Sequence, residues 1–258
     1  MKKIYFIAAL AMATMTANAQ ERLTISTFNG TNVEKFDGKI CDVTVTRYMF
    51  NGWNTIALPF DVTADEMNEV FGYDCKLEQL VSVENVGNDV QLNFQDCKEQ
   101  GMKANTPYIL YYTGENSNKK ITKEAVVNYA VPALSFRTER GESVMMAGVQ
   151  TKTDGIGYYG ILARDNAEAK FVKVDGTLNG FLATRCYVQL GSETATKLIT
   201  NHMAAGETTS INAITKAGEK VDVYNMNGQK VGTKMNAAQV NSLRPGVYLV
   251  KGQKVLVK

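Results

Sequence analysis

Between Leu23 and Leu198 the apolar residues fall in short alternating runs punctuated by Gly, Asn, Asp and Pro, the signature of many short strands. Ile40, Val43 and Val45 open one run, Asn51-Gly52 marks a turn, and Ile56, Leu58, Phe60 and Val62 follow in period two as a half-buried strand. Pro59 lies on that strand's opposite face. It has no N–H for a ladder, so it places the stretch at a sheet edge or strand end. Thr63-Ala64-Asp65-Glu66 is a capping-box pattern. It predicts one short helix with Met67, Val70 and Phe71 as its apolar stripe and Gly72 as its stop. Cys75 and Cys97 then flank a predicted hairpin turning at Asn85–Asp89, with Val83 set opposite Val90. "PYILYYTG" reads as a strand, Glu115–Lys120 as a polar loop, and "ITKEAVVNYAV" as a helical turn or strand. "ESVMMAGVQTKT", "GIGYYGILA", "AKFVKVDG" and "NGFLATRCYVQLG" supply further short strands. The expectation is an all-β, β-sandwich-like body.

The pattern weakens over Lys197–Ile214, which reads as a linker and includes the single histidine, His202. Beyond it "KVDVYNM", Asn227-Gly228 and "QKV" predict a hairpin, since Asn-Gly is a strong turn signal. One helical turn is expected over Asn236–Leu243, and a second hairpin closes the chain through "VYLV", Lys251-Gly252-Gln253 and "KVLVK". The resulting division is 1–19 as a leader, 20–205 as a β-rich body and 206–258 as a small C-terminal β-sandwich module. A module of that size is marginal as a free domain.

The leader changes the picture of where the body works. Lys2-Lys3, the apolar stretch Ile4–Met15 and Ala17-Asn18-Ala19 form a secretory signal pattern, with cleavage expected before Gln20. No later run approaches the roughly 20 apolar residues of a spanning helix. The 28 Lys+Arg nearly balance the 26 Asp+Glu, which argues against a general nucleic-acid or anionic-membrane binder. The charge is unevenly placed: from Gly206 onward eight basic residues face only Glu207, Glu219 and Asp222, so the body is acidic and the module basic.

Four cysteines in an exported chain permit two disulfides. Cys75 and Cys97 are the natural pair, although in the expected register they point to opposite faces and need a bulge between Cys75 and Val81. Cys41 and Cys186 are equally well read as buried thiols. Without a CxxC and with one histidine, no metal site is expected, and no cofactor motif is present. "GIGYYG" fits G-x-G-x-x-G in letters but lacks a following helix, and Asp65 and Glu66 suit helix capping. No nucleophile elbow is present, and His202 is read as non-catalytic, so no enzyme is expected. Two binding readings stand beside this. Glycans could stack on Trp53, Tyr111, Tyr112, Tyr158 or Tyr159, one tyrosine of each pair facing outward, against the simpler reading that these are core residues. A surface protein could instead add a strand at the Pro59 edge.

The stretches "VDVYNMNGQKV", "LRPGVYLV" and "KVLVK" resemble the C-terminal sorting domain of type IX secretion cargo in Gram-negative bacteria. That resemblance implies a small β-sandwich recognised by the type IX secretion machinery, with Pro245, Gly246, Tyr248, Lys254 and Lys258 on its motif. "GWNTIALPFDVT", "MKANTPYILYY" and "GFLATRCYVQL" resemble a β domain of secreted and surface proteins of the same bacteria, for which no chemistry is implied. The expectation is a non-enzymatic protein at the cell surface, outside the cell or in the periplasm. Its tail is an address or, alternatively, a hairpin completing the body's own sheet.

Overall fold

A computed structural model of the chain describes residues 21–26, 32–130, 133–161, 169–176, 180–191, 197–205, 219–244 and 246–257. In chain order the body begins with β1 (Glu21–Ser26), β2 (Ile40–Met49), β3 (Gly52–Ile56), helix α1 (Ala64–Phe71), β4 (Lys76–Val86), β5 (Asp89–Asp96), β6 (Tyr108–Tyr112) and β7 (Ser117–Val126). It continues with β8 (Ala133–Arg137), β9 (Ser143–Gly148), β10 (Tyr159–Ile161), β11 (Phe171–Lys173), β12 (Cys186–Leu190) and β13 (Leu198–Met203). The C-terminal module holds β14 (Val221–Asn225), β15 (Lys230–Met235), helix α2 (Ala237–Asn241), β16 (Gly246–Val250) and β17 (Gln253–Val257). The fold is all-β.

Among the described residues the body has three sheets rather than the two of a simple sandwich. The order β13-β5-β4-β6-β3 forms the middle layer. One of its faces packs, with α1, against the sheet β1-β2-β7, and the other against the sheet β11-β10-β12-β9-β8. This explains "PYILYY". In β6, Tyr108, Leu110 and Tyr112 enter the first core while Ile109 and Tyr111 enter the second, so both faces must be apolar. Strand β2, central in an outer sheet, instead alternates, with Cys41, Val43, Val45 and Met49 inward. Arg47 interrupts that inward row, fully buried.

Several expectations are corrected by the pairing. The turn expected at Asn51-Gly52 carries the chain from one sheet to another, because β2 pairs with β1 and β7 whereas β3 pairs with β6. The strand expected to reach Val62 ends at Ile56, although Leu58, Phe60 and Val62 still point into the core. Pro59 is therefore outside the ladder, and its carbonyl accepts from the Asn128 amide at 2.7 Å. The loop expected at Glu115–Lys120 is the start of the ten-residue strand β7. The capping box forms as read: Thr63 Oγ1 accepts from the Glu66 amide at 3.3 Å, and the Thr63 amide donates to Glu66 Oε2 at 2.8 Å.

In the β4–β5 hairpin Val83 faces Leu92, not Val90, a shift of two that leaves the buried face unchanged. A bulge sits between Leu80 and Ser82 and sets Glu78 opposite Asp96. The Cys97 amide then donates to Leu77 O at 2.9 Å. Cys75 and Cys97, expected to bridge, are both free thiols. With Cys97 opposite Leu77 they are diagonal neighbours, a spacing of about 7–8 Å that exceeds ordinary disulfide reach. Cys41 and Cys186 are free and buried.

The module is a four-stranded antiparallel sheet, β15-β14-β16-β17. Its core is Val221, Val223, Val240, Val250, Val255 and Val257. Asn236 caps α2, accepting from the Gln239 amide at 2.9 Å. Asn227 and Gly228 turn β14 into β15, while Lys251 and Gly252, at φ of 51° and 80°, turn β16 into β17.

Candidate functional site

Strand β13 carries His202 onto the edge of the middle sheet, beside β5 in parallel register with Phe94. This corrects the linker reading for residues 197–205; its remainder, 206–214, lies outside the described residues. Leu198 and Met203 are buried anchors of a strand, but with only six residues and three polar positions between them the run carries too weak an alternation to be recognised alone.

His202 Nδ1 lies 2.6 Å from Glu78 Oε2, whose side chain is only 6% exposed. A carboxylate only accepts, so Nδ1 is the donor of this bond. The imidazole stacks on Trp53 with centroids 4.5 Å apart and planes 15° from parallel, and Tyr111 meets Trp53 edge-on at 5.1 Å. Lys76 Nζ completes the cluster, 5.8 Å from the Tyr111 centroid. Strands β3, β4, β6 and β13 thus converge five side chains, of which Trp53 and Tyr111 are legible in the sequence and Lys76, Glu78 and His202 are not. No hydroxyl or thiol bonds to the imidazole among the described residues. Among them the dyad therefore has no nucleophile beside it.

The glycan candidates divide by burial. Trp53 is buried, one ring face taken by His202, and Tyr112 is buried in the first core; neither presents a free platform, a correction to the expected stacking surface. The Tyr112 hydroxyl approaches Ser117 Oγ at 3.5 Å, and Lys119 Nζ sits 5.0 Å from its ring centroid. Burial pushes that phenol up, but hydrogen bonds from Lys119 and Ser117 with the lysine charge bring it below its ordinary value. Tyr111 is half-buried. Tyr159 packs into the second core, while Tyr158 stacks on Tyr187 at 4.5 Å and 13°, with Phe181 tilted against Tyr187 at 5.6 Å. Gly155 and Gly160 make room for that group, since a Cβ on either would lie 2.3 Å and 2.6 Å from the Phe181 ring. "GIGYYG" thus serves aromatic packing.

Of the motif positions in the module, Pro245 and Lys258 lie outside the described residues. Gly246 begins β16, the Tyr248 hydroxyl donates to Arg244 O at 2.8 Å, and Lys254 is the register partner of Leu249. No group of three or more His, Cys, Asp or Glu is placed to hold a metal among the described residues. No helix among them is long and apolar enough to cross a membrane. The chain matches no family model, no curated protein and no solved structure.

Proposed function

We propose that the protein is an exported, non-enzymatic surface or extracellular β protein whose C-terminal module is a detachable sorting address. The observation that supports this reading is the composition of the module's core: its six buried valines all come from residues 221–257, and the half-buried Met235, Ala237, Leu243 and Tyr248 that pack against them do too. An address must be separable from its cargo, and a module that closes its own core can be removed without opening another. A hairpin completing the body's sheet would instead lend side chains to the body's cores, and among the described residues those cores contain none beyond Leu198.

The test is a chain ending at Ala205, expressed in the producing cells beside the full chain. The address reading expects the truncated body to melt within about 2 °C of the full chain while failing to reach the surface or medium. A large fall in melting temperature with unchanged location would refute it.

Carbohydrate binding is a second reading, favoured by the half-exposed Tyr158–Tyr187 stack on the β10–β12 sheet. It expects saturable binding to a polysaccharide that Tyr158→Ala weakens at least tenfold. Unchanged binding by that variant would place the sugar elsewhere.

A further inference from the structure

Arg47 and Arg185 are two guanidinium groups near enough to repel each other, the first buried and the second half-buried. Arg47, on β2, is 2% exposed. Its Nη1 donates to Thr184 O and, at 2.9 Å, to Thr184 Oγ1; Nη2 donates to Thr55 O, and Nε points to Met49 Sδ at 3.2 Å. Every one of these acceptors is neutral. Arg185 follows Thr184 directly and is half-buried, its Cζ 5.8 Å over the Phe50 ring. Its guanidinium has no hydrogen bond or ion pair among the described residues.

Among the described residues no counter-charge is paired with either guanidinium. The other ionisable group among them that faces the pair is the Cys186 thiol, which burial pushes up to about 12, so it stays neutral. Burial lowers both arginines from their ordinary value, and for Arg47 the nearby Arg185 charge lowers it further. A desolvated cation beside a second cation is costly unless an anion joins them, and proteins rarely leave such groups uncompensated. Arg47 spends its donors on the Thr55 and Thr184 carbonyls, the Thr184 hydroxyl and the Met49 sulfur. Arg185 keeps its own for something else, with an aromatic ring beneath it and Tyr48 edge-on to that ring at 5.1 Å.

We propose that Arg185, backed by Arg47, is a binding site for an oxyanion that accepts two parallel N–H bonds. A guanidinium fork matches a carboxylate or a phosphate in this way, whereas a monatomic anion takes one direction only. The apolar floor of Phe50 favours an oxyanion carried on a small organic ligand. The acidic body offers no general attraction for anions, so binding here would be a property of the site and not of the surface. The inference is independent of export and of the module.

The experiment is thermal unfolding of the full chain at constant ionic strength, made up with sodium chloride. Glucuronate supplies the carboxylate and inorganic phosphate the phosphate. At a hundredfold excess over Kd, one or both should raise the melting temperature by about 5–11 °C. Which of them does so identifies the source. Arg185→Gln should unfold at or above the unliganded parent's temperature, because it removes an unpaired cation, and should lose the shift. Arg185→Lys, which keeps the charge without the fork, should bind at least fivefold more weakly. The proposal is overturned if neither oxyanion shifts the parent beyond its sodium chloride control, or if Arg185→Gln keeps the shift.

Discussion

Arg47→Lys is the substitution that most directly tests how the three layers of the body are tied together. Arg47 starts on the β1-β2-β7 sheet and bonds to Thr55 of the middle sheet and Thr184 beside the third. Thr184 itself sits at φ of 67°, a left-handed position that a β-branched residue occupies only when its surroundings hold it. Its carbonyl also accepts from the Ala57 amide at 3.0 Å. A lysine carries the same charge into the same place, so the desolvation cost is broadly unchanged. What is lost is the fork: one ammonium cannot span Thr184 and Thr55. Two charge-assisted bonds at about 1.5–3 kcal/mol each set the loss at about 3–6 kcal/mol. In a body of this size that is roughly a 6–24 °C fall in melting temperature, followed through the emission of Trp53, the chain's single tryptophan. The pH dependence supplies a second check. A buried ammonium has its folded pKa lowered below its unfolded value, so the native variant binds fewer protons than the unfolded chain. Its stability should then rise with pH up to about 10, closing part of the gap to the parent. A melting temperature within about 2 °C of the parent would refute the claim that Arg47 bridges the layers.

His202→Ala should uncover the stacked face of Trp53 and strand the buried Glu78 carboxylate, giving a red-shifted emission and a loss of about 1–3 kcal/mol; an unchanged spectrum would mean the stack does not persist in solution. Burial raises the Glu66 carboxyl, but hydrogen bonds from Lys123 and the Thr63 amide bring it below its ordinary value, so its contribution is full above the unfolded pKa and lost as pH falls through the folded one. Lys123→Met should therefore cost under about 1 kcal/mol at pH 7, given the partial exposure of the pair, and the gap should close by about pH 3; a gap that persists there contradicts the linkage. Gly38 and Gly101 share a positive φ of 72° and 69°, but only at Gly101 would a Cβ meet backbone, 2.4 Å from Val62 O. Gly38→Ala should cost about 1 kcal/mol and Gly101→Ala at least twice that in urea unfolding, and equal costs would mean the close approach relaxes freely.

The candidate site was half legible because its halves rest on different signals. Trp53 and Tyr111 stand out as large aromatics in apolar runs. Glu78 lies among Lys76, Leu77, Gln79 and Leu80, where nothing local marks it as buried beside a histidine 124 residues away. His202 lies in a run whose apolar content is too low to announce a strand, because β13 is an edge strand pairing in parallel with β5 on one side only. The missing disulfide has a similar cause. The parity conflict between Cys75 and Cys97 was readable, and a bulge does form near the expected place. Its effect on register, which sets Leu77 opposite Cys97, depends on pairing energies summed over both strands.

By itself the sequence determined what local chemistry controls. Alternation and turn residues dictate an all-β chain, Thr63-to-Glu66 and Asn236 place the helix starts, and the Asn-Gly and Lys-Gly steps place the module's two turns. These follow from backbone preferences and side-chain caps acting within a few residues, which any reader of the sequence can evaluate. Tertiary structure alone decided the third layer, the parallel edge strands β1 and β13, and the convergence of Arg47, Thr55, Thr184 and Arg185. Each joins residues far apart in the chain, and which sheet face meets which is settled by total buried area across the body. That quantity is shared among all the strands, so no single stretch of sequence contains it.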